Sequence, residues 1–229
     1  MAINQFNLDV DQRAERKLLV TVVEWRDDTN GEIYVLQESK PVDWSTKYTS
    51  YYTKNGDEYT AVTGASAPTW EADMYYTRVN RTIMGKRTPD SSIDYNIDSE
   101  TSTDILGYNY TDVNKTQPSQ SFDPHLILGG DRFSEKLNDI RKRNALSELS
   151  QFTAYVITIF VTLEVDSKTV YETERHTGCT VFYDSIGGED NVNFPLTLNF
   201  SNNITNGYVD KTATDFTFTP YPANVNIGS

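Results

Sequence analysis

The chain has 229 residues, 33 of them acidic and 20 basic, for a formal net charge of −13; 37% are hydrophobic and one is cysteine. Such a balance repels DNA and anionic membranes at moderate ionic strength, and a lone Cys179 excludes an intrachain disulfide framework and reads as a small core hydrophobe. No apolar run approaches the roughly 20 residues of a membrane-spanning helix, and the start, M-A-I-N-Q-F, lacks the basic and apolar regions of a secretory signal, so synthesis in a cytoplasm is expected.

The first elements read as strands. Residues 1–16 are polar and mixed in charge, an arm. Residues 17–25 (K-L-L-V-T-V-V-E-W) form a strand that turns at Asn30-Gly31 and returns over 32–37, since Asn-Gly supplies the positive φ of a tight hairpin. A second hairpin over 47–62, the heart of an extended ribbon 41–64, turns at Asn55-Gly56 and carries Tyr48, Tyr51, Tyr52 and Tyr59. A ribbon so rich in tyrosine and poor in aliphatics has little to bury in its own domain and is expected to reach a neighbour. Residues 70–84 are a third strand region with Tyr75, Tyr76, Val79 and Ile83.

From 85 to 122 the composition turns to Ser, Thr, Asp and Asn. This reads as a long loop excursion packed on another subunit, with a strand pair at 94–97 and 106–110 as the alternative. A helix follows over 131–144, D-R-F-S-E-K-L-N-D-I-R-K-R-N. Phe133, Leu137 and Ile140 make one stripe of a 3.6-residue period and are expected to dock it on a sheet. Acids lead, Arg141, Lys142 and Arg143 close, and Asn144 is suited to the left-handed stop.

Residues 152–165 (F-T-A-Y-V-I-T-I-F-V-T-L-E-V) are β-branched and aromatic throughout, a central strand with Tyr155, Ile157, Ile159, Val161 and Leu163 on one face. A tight turn at D-S-K leads to a partner strand over 169–184, a loop at 186–190, and an alternating run 192–200 whose Pro195 points to an edge or bulge. Asn206-Gly207 reads as a third hairpin turn, 212–221 as a final strand with Phe216 and Phe218 inward, and 221–229 as an uncharged tail. One β-rich domain with long decorations is expected: a β-sandwich or partial barrel flanked by one helix.

Chemistry-bearing motifs are sparse. His125 and His176 have no zinc-ligand spacing and read as surface or interface side chains. Gly85-Lys86-Arg87-Thr88 matches only the end of a phosphate loop, and Asp90, Asp94, Asp98, Glu100 and Asp104 lack the spacing of a calcium loop. The expectation is no enzyme, no catalytic residue, no metal and no cofactor. Two basic clusters stand against the acidic background: Arg78, Arg81, Lys86 and Arg87, then Arg132, Lys136, Arg141, Lys142 and Arg143. Pairing between copies is the preferred reading, with ordinary surface charge and nucleic acid as alternatives. Arg78, Arg81, Lys86, Arg87, Arg141, Lys142, Arg143, Tyr51 and Tyr52 are the candidate inter-subunit contacts.

The order of strand hairpins, polar excursion, a D-P-x-x-x-x-G-G-D-x-F-x-x-K-L-x-x-I helix entry over 123–140, long strand, Gly187-Gly188 loop and closing T-D-F-T-F-T over 214–219 resembles the major tail tube proteins of long-tailed bacteriophages and related injection machines. The resemblance covers about residues 17–220. It implies a β-sandwich with one helix, assembled as stacked, hexameric rings in which each copy adds strands to a continuous barrel around an acidic, DNA-conducting lumen. It implies that the 41–64 ribbon, the 85–122 excursion and the termini join successive rings. The partners it implies are other copies, a tape measure, a tail terminator and distal tail or baseplate proteins, within a virion tail, with DNA as transient cargo. A baseplate, decoration or receptor-binding sandwich that holds a surface glycan through exposed Tyr and Trp is the rival reading.

Overall fold

A computed structural model describes residues 15, 19–85, 88, 91–97, 99–103, 105–106, 108–113, 117–183, 185–187 and 192–222. The arm 1–16 (Glu15 apart), Lys86, Arg87 and residues 223–229 of the tail therefore lie outside the described residues. The fold is mainly β and antiparallel, with one α-helix longer than four residues among those described, in keeping with a sandwich or partial barrel flanked by a helix.

Strand β1 (Leu19–Arg26) leads into a compact unit, Glu24–Arg81, built from β2 (Ile33–Leu36), α1 (Trp44–Lys47), β3 (Tyr52–Asn55), β4 (Glu58–Ala61) and most of β5 (Tyr75–Ile83). Its core is aromatic. Trp44, Tyr51, Val62 and Tyr75 are buried, with Tyr48, Ala67 and Trp70 packed against them. Ring centroids lie 4.4 Å apart for Trp44–Tyr75 and 4.9 Å for Trp44–Trp70. Trp44 Nε1 donates to the Pro68 carbonyl at 3.0 Å and the Tyr75 hydroxyl to the Thr69 carbonyl at 3.2 Å, so these rings bury apolar area without orphaning their polar tips.

The Asn30-Gly31 hairpin does not form. β2 pairs with β5, from Ile33↔Val79 to Leu36↔Tyr76, and not with β1. The Asp27 carboxylate accepts from the amides of Thr29 (3.1 Å) and Asn30 (2.8 Å), which turns the chain away from β1. Gly31 serves close approach instead: a Cβ there would fall 2.5 Å from the Asp27 carbonyl oxygen and 2.8 Å from Arg78 Cβ. The 41–64 ribbon is shorter than expected, because 44–50 is helical and the hairpin is β3–β4 alone, turning at Gly56 and Asp57, one residue past Asn55-Gly56.

The rest of the chain forms the second unit. The 85–122 segment is not a plain loop: it holds β6 (Ile93–Asp94), β7 (Ser99–Thr103), β8 (Asn109–Val113) and β9 (Ser119–Phe122). β6 and β9 pair with each other, and β7 and β8 form a separate two-stranded sheet. β7 lies outside the expected 94–97, whereas β8 overlaps the expected 106–110 at residues 109–110. Helix α2 (Arg132–Arg143) follows, capped by Asp131, whose carboxylate accepts from the Phe133 amide at 3.1 Å, and stopped by Asn144 at φ 54°.

Strands β10 (Phe152–Val165) and β11 (Lys168–Tyr183) form a long hairpin, its turn made by Asp166 and Ser167 at φ 50° and 63°. β11 also pairs with β12 (Leu196–Asn199) over 180–183 and with β13 (Ile204–Val209) over 171–176. One strand thus serves two arrays, the arrangement by which a sheet folds over on itself. The last strand is β14 (Phe218–Pro220), on β13. Val22, Tyr155, Ile157, Val209 and Phe216 form one buried cluster. Phe133, Leu137 and Ile140 are fully buried, and Phe133 meets Phe152 with centroids 5.8 Å apart.

Three further expectations change. Asn206-Gly207 lies inside β13, where a Cβ on Gly207 would strike the Thr219 carbonyl and the Phe218 ring. Pro195 precedes β12, which is internal between β11 and β9, so it marks no edge. His125 and His176 are 8% and 3% exposed, buried and not on the surface.

Candidate functional site: a tyrosine–cation sheet face

Alternation along the strands of the 24–81 unit sorts its tyrosines. Tyr75, Thr77 and Val79 are buried, whereas Tyr76 and Arg78 on the opposite side of β5 are half-buried. Cross-strand register extends that outward face: Tyr34 lies opposite Arg78, Leu36 and Tyr52 flank Tyr76, Ala61 lies opposite Tyr52, and Lys54 opposite Tyr59. None of these positions carries a carboxylate. In a chain of net charge −13, the face holds four tyrosines and two cations, with Leu36 and Ala61 among them.

The rings hold one another in place. Tyr34 and Tyr59 stack at 3.9 Å with planes 4° apart; Tyr52 meets Tyr34 edge-on at 5.0 Å, and Tyr76 meets Tyr59 edge-on at 5.1 Å. Lys54 Nζ sits 5.4 Å from the centre of Tyr59 and the Arg78 guanidinium 5.9 Å from that of Tyr52. Arg78 Nε and Nη1 donate to the carbonyls of Gly31 (2.8 Å) and Thr29 (3.2 Å), and its bond to the Tyr52 hydroxyl raises its pKa above the ordinary value. A rigid surface of tyrosine and fixed cation is the composition that recurs at protein interfaces.

Of the expected inter-subunit contacts, the structure brings Arg78 and Tyr52 together on this face. Tyr51 is fully buried; its hydroxyl donates to Asp43 at 3.0 Å and accepts from Arg26 at 3.1 Å, which removes it from any exterior contact. Arg81 is likewise internal, its Nε 2.6 Å from Glu24 Oε2 with side chains 3% and 9% exposed. Lys86 and Arg87 lie outside the described residues. Arg141 and Lys142 are exposed on α2. Arg143 is bound to Asp139 (2.6 Å) and Glu148 (2.8 Å), and Lys136 also reaches Glu148 at 2.7 Å. Those two cations, Arg143 first, lower the Glu148 carboxyl to about 2. The basic end of α2 therefore fastens the helix to the turn that follows it. Sequence reasoning missed Tyr34, Tyr76 and Lys54; only the register shows that they share a face with Tyr52.

A second constellation looks catalytic in composition. His125 Nε2 lies 3.4 Å from Ser134 Oγ and 3.3 Å from Asp131 Oδ2, and Ser134 Oγ donates to Asp131 at 2.5 Å. In a nucleophile–base–acid relay the carboxylate holds one imidazole nitrogen and the hydroxyl faces the other. Here both converge on Nε2, and the buried Nδ1 has no hydrogen-bond partner among the described residues. Burial alone would raise the Asp131 carboxyl, but hydrogen bonds from His125 and Ser134 hold it below its ordinary value. The group is the N-terminal cap of α2.

No family model, curated protein or solved structure matches the chain.

Proposed function

We propose that this chain is a non-enzymatic, self-assembling structural subunit of the tail-tube kind, stacking as rings, six-fold on the resemblance, around a passage for DNA in a virion tail. The observation that carries the reading is the tyrosine–cation face of residues 34, 52, 54, 59, 76 and 78, bordered at Arg78 by Asp27, in a strongly acidic chain. Charge of one sign on one face and the opposite sign elsewhere favours heterologous contact between identical copies, which closes into rings when the rotation permits. The strongly negative remainder would keep passing DNA from adhering. The free side of β4, which pairs with β3 alone among the described strands, supports joining across copies, since an open edge is a template for a further strand.

The same tyrosines favour the rival, a module that stacks sugar rings on its aromatic face. Sedimentation velocity across a protein dilution series, run beside a glycan array, separates the two. Assembly expects concentration-dependent large species and no glycan signal; a compact, non-associating particle with reproducible glycan binding would replace this reading with the rival.

A further inference from the structure

The second unit carries a face of opposite character. On β11, Glu172 and Glu174 point the same way, and their cross-strand neighbours are Thr158 and Val156 on β10 and Tyr208 and Asn206 on β13, none of them a cation. Tyr221 lies against Tyr208, centroids 5.9 Å apart. At the other end, Tyr95 is 53% exposed and lines a shallow cleft with Glu174, His176, Val156 and Phe200. The Glu174 side chain is 48% exposed. Burial, and then the charge of Glu174, pushes the Glu172 carboxyl up. This row of tyrosine, glutamate, glutamate and tyrosine mirrors the tyrosine–cation face in shape of composition and inverts its charge.

We infer that the Lys54–Arg78 tyrosine face of one copy docks on the Glu172–Glu174 tyrosine face of the next. The inference rests on the self-assembly reading and names the two surfaces that meet. Both faces are partly exposed sheet surfaces with aromatic borders, and they carry opposite charge: Lys54 and Arg78, the latter beside Asp27, on one, and Glu172 and Glu174, the latter 3.3 Å from His176 Nε2, on the other. Because the two patches differ, the contact is head-to-tail, and each copy keeps one face free for a further copy.

The test uses the full chain with Lys54→Glu, Glu174→Lys and their equimolar mixture, read by sedimentation velocity. Each variant alone is expected to associate about tenfold more weakly than the parent, the scale of one well-formed charge coupling. Mixed, the two are expected to recover the parent's association, because alternating copies restore a Lys–Glu pair at every contact. A double-mutant cycle with Lys54→Gln and Glu174→Gln reads the same coupling without charge reversal. The double variant should be no weaker than either single one. Parent chains that assemble while the single variants assemble equally well, or a cycle whose effects simply multiply, would overturn this pairing and leave self-assembly standing. A parent chain that stays monomeric at every concentration would overturn both.

Discussion

At Arg81 and Glu24 a charge pair stands where side-chain exposure is 3% and 9%. Burying two charges gains little over apolar packing, but leaving one without its partner is costly. Arg81→Met is therefore expected to destabilise by about 3 kcal/mol, and adding Glu24→Leu to recover most of that, as read by urea denaturation. Glu148 makes a pH-dependent contribution of definite sign. Its folded carboxyl titrates at about 2 against an ordinary 4.5, so the unfolded chain takes up the proton first. The Lys136 and Arg143 bonds then add stability in full above about pH 4.5, and lose it as pH falls towards 2. Glu148→Gln should flatten the fall in melting temperature across that window; an unchanged slope would dissociate the pair from stability.

At the scale of elements, α2 and β10 were the most legible parts of the sequence. The helix had its leading acids, its stripe and its αL stop in order, with Asp131 proving to be the cap and not part of the first turn, and the strand's apolar run matched the observed Phe152–Val165 at both ends. Leu137 is fully buried. Leu137→Ala is expected to cost about 3 kcal/mol, and Leu137→Asp to prevent folding, read as loss of a cooperative thermal transition. At the β10–β11 turn, Ser167 adopts φ 63°; Ser167→Gly should stabilise by about 1 kcal/mol through relief of that conformation.

Asn-Gly pairs were a poorer guide. Only Asn55-Gly56 borders a hairpin; Gly31 and Gly207 are glycines because neighbouring backbone passes too close for a Cβ. The β7–β8 hairpin was only half anticipated, β7 being missed, because its strands alternate no apolar residues. Hydroxyls and an amide hold it across the strands instead, Thr101 to Thr111 at 3.0 Å and Thr103 to Asn109 at 2.7 Å. The candidate face was half legible for a related reason. Tyr52 and Arg78 could be named from composition, but Tyr51 and Tyr52 are adjacent, and only their parity within the sheet decides which is core and which is surface.

For the whole molecule, an acidic chain, a cationic aromatic face and an antiparallel β fold with an open edge at β4 among the described strands are the features on which the proposed self-assembly rests. Assembly of identical copies is tested most directly by electron microscopy of the purified full chain at high concentration. Rings or hollow filaments with a continuous β wall are the expected result. Dispersed single particles at every concentration, with no ordered contact between copies, would contradict the claim.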